Sequence, residues 1–475
     1  MAAQNPPLAL EPLRRGTVEY EELRKRFFNA RVPPTEPAEI VHPTTTADVA
    51  AAVKRAKSLG WKVGVRSGGH SFTCSSLIQN GMLIDASRLN RTIEYDPKTR
   101  ILSFGPATLA RDLAEWSDKL KRFFPFGHFP SVAVGGFALA GGQGWFMRGW
   151  GCTSDSWITK LEVVMADGQA INASKDENED VFWAARGGGH GFFGVVTKIY
   201  GNTIPARTIF DMARVFDVSQ PGSYEKVLGW ALAANNRTPK YGVDTAVATF
   251  YADKEAADAG REARDKRLFM SMDSIVYADS MAEAETLLSE FRNLPEELQP
   301  LEMAHVGPKE TTWDEIFHYQ EKVNPSGNGE RYQCDSILND PEIPREKLME
   351  AIKPALCSLP NFRSVGVVFI AEYYPDERDQ ALSLPQQYYI STMTCWTDPA
   401  EDGRMRKWMY DAYSRAESVA CGQYIADFDA THRITKVMSD SALRKWLRIR
   451  AKWDPREIFP GYKSFASILQ DDAKL

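Results

Sequence analysis

The sequence predicts an α+β protein, and three observations carry that prediction. A chain of 475 residues is too long for one ordinary core and divides into two or three domains. Between residues 40 and 66 a strand, a helix and a second strand follow one another, the opening of an α/β unit. From about residue 208 glycine thins out and longer strands alternate with helices, which suggests an antiparallel sheet covered by helices on one side.

Composition narrows the class of partner. The hydrophobic and charged fractions are those of a globular protein. A net charge of −6 and a pI near 5.8 argue against nucleic acid or an anionic membrane surface. The six cysteines (74, 152, 334, 357, 395, 421) form no CxxC pair and no cluster with histidine, so neither a disulfide framework nor a metal site is expected. Met1-Ala2-Ala3-Gln4-Asn5-Pro6-Pro7 lacks a charged start followed by an apolar run, and no apolar run is long enough to span a bilayer. The expectation is a soluble, cytoplasmic protein of open oligomeric state.

The elements follow in order. Residues 20–29 read as a basic helical patch. Ile40-Val41-His42-Pro43 is a strand, and 46–59 a helix with Thr45 or Thr46 as N-cap, Asp48 in its first turn and Gly60 past its end. Trp61-Lys62-Val63-Gly64-Val65 and Met82-Leu83-Ile84-Asp85 are short strands. Residues 92–95 and 101–104 pair as a hairpin, and 109–120 is an amphipathic helix. A strand over 161–165 turns at Ala166-Asp167-Gly168 and returns at 169–171. Further on, 243–250, 268–277, 365–373 and 388–396 read as strands, and 281–294 and 399–420 as helices.

Three glycine-rich segments punctuate the first half. The first is Val65-Arg66-Ser67-Gly68-Gly69-His70-Ser71, where two adjacent glycines clear the turn after a strand. Such a turn makes a nest of N–H groups for an anion, with Arg66 adding charge and His70 presented at its end. The second spans 129–144 and includes Val132, Val134, Gly135, Gly136, Gly141, Gly142 and Gly144. Its glycines, interleaved with small apolar residues, let backbone approach a flat ligand closely. The third, Gly187-Gly188-Gly189-His190-Gly191-Phe192-Phe193-Gly194, contains GxGxxG. It runs into Val195-Val196-Thr197-Lys198-Ile199, a β-branched strand rather than a helix, which excludes a Rossmann dinucleotide site.

Taken together, these segments resemble the flavin-binding half of the vanillyl-alcohol-oxidase superfamily, nearest to its berberine-bridge-enzyme-like and 6-hydroxynicotine-oxidase-like branch. Arg66-Ser67-Gly68-Gly69-His70-Ser71 resembles the pyrophosphate loop. The second segment resembles P-T-V-G-V-G-G-…-G-G-G-Y-G and the third W-A-x-R-G-G-G-…-F-G-I-V. Trp150-Gly151-Cys152-Thr153-Ser154-Asp155-Ser156 matches the Y-G-x-x-x-D-N link between them, which places Asp155 with Gly194 and Val196 among the flavin contacts. Residues 452–459 resemble the V-D-P-x-N-x-F ending, where the chain returns to the flavin domain. The resemblance implies a bipartite α/β FAD-binding domain of the PCMH type, 1–207 and 421–475, with an inserted α+β substrate domain over 208–420. It also implies FAD bonded covalently through His70. A second bond, from a cysteine in many relatives, is not expected, because Phe129 stands at that position. Plant members of the branch are usually secreted, and this N-terminus departs from them.

The implied chemistry is hydride transfer from a small organic alcohol, amine or phenolic substrate to flavin N5, with O2 as acceptor and H2O2 as product. Val132 stands where a small side chain goes with oxygen access and a leucine with dehydrogenase behaviour; Ala133 adds a methyl where glycine is common. A dehydrogenase with another acceptor, or a structural FAD beside a non-redox cyclisation, stays open. The family's Glu or Gln base position falls on Ser391, which is no base. The family's Y-V-N-H or Y-V-N-Y motif aligns with Tyr424-Ile425-Ala426-Asp427. Tyr424 is kept, and Asp427 becomes a candidate base if burial raises it from about 3.9. The alternative is a solvated Asp427 paired with Arg433. Glu372 is the remaining acidic candidate. Phe72 stands for a tyrosine of some relatives. Trp145, Trp150, Tyr389 and Trp396 offer aromatic surface or plain core, and His190 faces either the flavin or solvent.

Overall fold

The computed structural model describes residues 11–253 and 266–462; the N-terminal stretch Met1–Pro7 lies outside them. Among the described residues, three large sheets and one two-stranded ladder carry the chain. The first has four strands in the order Leu13–Arg14, Glu39–Val41, Met82–Asp85, Val63–Arg66, with the last three parallel. The helix Thr46–Ser58 connects two of them. Thr45 caps it in a reciprocal box with Asp48, and Val49, Ala52, Val53 and Ala56 are buried beneath it. The second is an antiparallel sheet of five strands, in the order Glu94–Asp96, Ile101–Phe104, Gly194–Asn202, Ile158–Met165, Ala170–Ser174. The strand after GxGxxG is thus observed as expected.

The third sheet has eight antiparallel strands, drawn from residues between 208 and 422. Its strand Gln386–Trp396 shows how it is placed. Tyr388 and Ile390 enter a core with helices Ser223–Arg237, Arg345–Cys357 and Asp402–Ala416. Thr392 points the same way, donating to Ala355 O. The intervening Tyr389, Ser391 and Met393 line a cavity instead, because successive strand side chains alternate faces. One face is therefore structural and the other faces the glycine-rich segments.

Several boundaries differ from expectation. The helix expected over 399–420 is a helix from Asp402 to Ala416 flanked by 3-10 turns, and Ala420 already begins a strand. The helix expected over 281–294 breaks at Leu288, and that over 20–29 is Val18–Arg24. Among the elements with no assignment above are strands Glu302–Thr311 and Arg331–Asn339 and helix Asp440–Trp453. The first strand is exposed along most of its length, so no in–out alternation marks it. The helix buries Leu443, Trp446 and Ile449, and Trp446 Nε1 donates to Ala184 O at 3.1 Å. Tyr462 then closes the third glycine segment, accepting from Gly191 N at 3.1 Å and donating to Gly188 O at 2.7 Å.

No helix of the described residues is long and apolar enough to cross a membrane.

Candidate functional site

Strand Val63–Arg66 delivers the first glycine turn to the rim of a cavity of about 420 Å³. A Cβ on Gly68 would meet Ala133 Cβ at 2.9 Å. Gly69 has φ +78°, and a Cβ there would lie 2.7 Å from Arg26 O. Both positions therefore exclude side chains. Ser67 packs onto the second glycine segment, since a Cβ on Gly135 would meet its Oγ at 2.6 Å. Ser71 Oγ lies 3.0 Å from Thr73 Oγ1.

Arg66 is less free than its place in the motif suggests. Its Nε and Nη2 donate to Asp85 Oδ2 at 2.9 and 2.5 Å, and Nη2 also donates to Leu23 O. Burial alone would raise Asp85, but His42, Arg66 and Arg26 outweigh it and hold the carboxyl below its usual range. One donor of Arg66 remains: Nη1 is buried without a protein partner.

His70 faces the cavity. Its Nε2 lies 2.8 Å from Ser131 Oγ, and its ring stacks on Phe28 at 4.7 Å between centroids. Burial lowers the imidazole to about 4, with Ser131 opposing, so the ring is neutral at pH 7. Phe129, where a cysteine would be needed for a second bond, packs beside it at 5.6 Å. His190 is also on the cavity wall, its ring edge-on to Tyr462 at 5.3 Å and its side chain exposed.

The structure brings together only part of the expected flavin set. Arg66, Ser67, Gly68, Gly69, His70, Ser71, Val132, Gly135, Gly136, Gly194 and Val196 line the cavity. A Cβ on Gly136 would meet nothing within 4 Å, so this glycine opens on the cavity. Five others do not line it. Val134 is buried in the core. Gly141, Gly142 and Gly144 are filled by protein: a Cβ on each would meet Leu382, Thr153 or the Phe126 carbonyl within 3 Å. Asp155 lies behind the wall against Gly151 and Tyr373, where burial raises its carboxyl and Tyr373 opposes.

Glu372 is also removed from the cavity. Its Oε2 accepts from Arg148 Nε at 2.8 Å, and Arg148 is further held by the carbonyls of Asn235, Thr238 and Pro239. This is a structural ion pair rather than a base facing a ligand. Asp427 is placed differently. It ends the 3-10 turn Ile425–Asp427 on the cavity wall, and its Oδ2 accepts from Ser336 Oγ and Tyr389 Oη, both at 2.7 Å. The alternative pairing with Arg433 is overturned, because that guanidinium binds Asp335 and Glu417. Burial raises Asp427 to about 6; Ser336 and Tyr389 pull it down, and nearby Asp335 adds to the rise.

Tyr389 is thus more than aromatic surface, while Trp150 sits in an aromatic cluster with Phe123 and Phe146, and Trp396 donates to Asp402. Ser336 escaped the sequence because its strand carries polar residues on both faces. Burial, then Asp427, raises the Tyr389 hydroxyl well above its usual range; Ser391 opposes this but makes no bond of good geometry itself. Tyr424 lines the cavity, its Oη receiving the Gln143 N–H at 3.5 Å. The two donors on Asp427 give a prediction. Tyr389→Phe removes one, so the carboxyl rises further and the acid limb of any Asp427-dependent rate moves to higher pH. A pH profile of single-turnover reduction checks it.

Comparison with known proteins gives a consistent picture. Residues 37–174 match the FAD binding domain family. The FAD-linked oxidoreductase nodO of Hypoxylon pulicicidum is 29% identical over 92% of this chain and 93% of its own. Xylooligosaccharide oxidase of Thermothelomyces thermophilus is 38% identical over 38% of this chain and 36% of its own. In structure, 6-hydroxy-D-nicotine oxidase of Arthrobacter nicotinovorans superposes with a TM-score of 0.80 at 17% identity, covering 97% of this chain and 98% of that one. BBE-like 1 of Physcomitrella patens superposes at 0.79 with 19% identity, covering 96% of both chains.

Proposed function

We propose, from the premise that this chain is an FAD-dependent oxidoreductase with the fold of the berberine-bridge-enzyme-like enzymes, that Asp427 is the base of an oxidase whose FAD is anchored at His70. The cavity fits FAD on two observations. The glycine wall around Gly68, Gly69 and Gly136 admits close approach of a flat ligand, and Arg66 Nη1 is a buried donor awaiting an anionic acceptor such as a phosphate. When bound, FAD supplies the hydride acceptor.

The protein's part is binding and proton handling. His70 is neutral, so an imidazole nitrogen has a free pair for one covalent bond, and Phe129 offers no second. Asp427 takes the proton of the substrate's hydroxyl, amine or phenol as the hydride leaves its carbon. Tyr389 and Ser336 hold Oδ2 for that task. The observation that carries the reading is this carboxylate, raised to about 6 on the wall of the cavity that also holds His70. Tyr424 is a further polar group for orienting substrate. Phe72, Phe129, Phe369 and Met393 line the same cavity and favour an apolar or aromatic substrate over a sugar. Val132 on the wall favours access for O2, with H2O2 as product.

The test has two parts. Acid precipitation leaves yellow colour in the wild-type pellet and not in His70→Ala. Anaerobic addition of aromatic or terpenoid alcohols bleaches the flavin, and air restores it with H2O2. A protein that stays colourless with added FAD overturns the reading. Bleaching by oligosaccharides alone moves it to a sugar oxidase, and slow recolouring in air moves it to a dehydrogenase.

A further inference from the structure

We propose that Phe28 is a positioning residue for flavin attachment: its ring is a fixed platform that holds the His70 imidazole against the flavin methyl carbon. The inference rests on the reading of His70 as the attachment site. A histidine after two glycines sits on a backbone with unusual freedom, and Gly69 uses it, at φ +78°. Something outside the loop must fix the ring.

Phe28 meets the imidazole face to face, at 4.7 Å between centroids with 27° between planes. The register of the two rings is set by the backbone, since Phe28 N donates to Gly69 O at 2.9 Å. Phe28 itself is held from three sides by Phe72, Phe129 and Tyr332, with centroids at 6.1, 5.3 and 5.1 Å.

The next residue ties this platform to the rest of the site. Asn29 is fully buried. Its Nδ2 donates to Phe72 O at 2.8 Å and Tyr332 O at 3.0 Å, and its Oδ1 accepts from Tyr332 N at 2.8 Å and Arg31 N at 2.9 Å. Ala30 N donates to Glu330 O at 2.9 Å. The segment therefore straps the His70 loop to strand Arg331–Asn339 of the large sheet. With Ser131 on Nε2 and Phe28 on the face, both the tilt and the spin of the imidazole are fixed before any bond is made.

In the attachment step His70 loses its N–H hydrogen and forms a nitrogen–carbon bond to the flavin 8α-methyl, which gives up one hydrogen. Both hydrogens and the electron pair stay on the reduced ring until O2 takes them as H2O2.

The experiment adds FAD to apo wild type, Phe28→Leu and Phe28→Tyr, and measures total bound flavin and acid-stable flavin over time. Phe28→Leu keeps apolar bulk and removes the ring face. It is expected to bind FAD as the wild type does but to attach it roughly 10- to 100-fold more slowly, and Phe28→Tyr is expected to restore the wild-type rate. A Phe28→Leu protein that attaches as fast as wild type overturns the platform, as does one whose lost attachment only tracks lost binding. Wild type that releases all its flavin into acid instead overturns the attachment at His70, and this inference with it.

Discussion

Asp427→Asn is expected to slow flavin reduction by substrate roughly 10²- to 10⁴-fold, the span by which a positioned base accelerates proton transfer. The amide keeps the size of the carboxyl and can still accept from Tyr389 and Ser336, so the turn Ile425–Asp427 stays in place. What it cannot do is take a proton. Stopped-flow bleaching under anaerobic conditions reads the step without interference from O2. Acid-stable flavin in the same sample shows that the cofactor remains loaded. The wild type carries a second signature. With Asp427 as the base, raised to about 6, the reduction rate is expected to rise as pH increases through about 6 and to level above it, because only the deprotonated carboxylate accepts. The variant loses this limb. A variant that reduces its flavin at the wild-type rate would remove Asp427 from the chemistry and return attention to Tyr424.

How far these features could be read in the sequence depends on how local their causes are. The His70 loop was legible because it is a string of residues whose types are dictated by backbone geometry: Gly68 and Gly69 admit no Cβ. The capping box at Thr45 and Asp48 was legible for the same reason. Gly141, Gly142 and Gly144 show the limit. The sequence displays a glycine, and only packing tells whether the missing Cβ makes room for a ligand or for Leu382, Thr153 and Phe126. Glu372 fails similarly, since Arg148, which neutralises it, is remote in sequence. Asp427 was singled out as a candidate by its place in a motif, but its surroundings come from strands Arg331–Asn339 and Gln386–Trp396. Their pairing puts Ser336 opposite Ser391 and orients Tyr389 toward the cavity. Strand Arg331–Asn339 buries polar residues toward both faces, so no hydrophobic alternation announces it. Phe28 was hidden in a stretch that reads as helix by its charges but leaves the helix at Lys25.

Asp335→Asn is expected to cost about 3–5 kcal/mol, the usual consequence of leaving a buried charge without its partner. Asp335 is 1% exposed and accepts from Arg433 at 2.7 and 3.0 Å, from Gln423 at 2.7 Å and from Ser336 N at 2.7 Å. The substitution keeps the shape and discards the charge. Arg433 is then left with Glu417, whose side chain is 43% exposed and screened by water, and with the Ser336 carbonyl. Against a typical domain stability of about 5–15 kcal/mol, such a loss shifts the urea midpoint of the holoenzyme well outside error; an unchanged midpoint would mean the network is not a stabilising pair. The same substitution acts on chemistry with a defined sign. The negative charge of Asp335 contributes to the rise of Asp427, so its removal moves the acid limb of flavin reduction to lower pH. Tyr389→Phe moves that limb to higher pH. Loosening of the site in general would shift both variants the same way, whereas opposite shifts follow only if Asp427 is the titrating base and these two neighbours act on it through charge and hydrogen bonding.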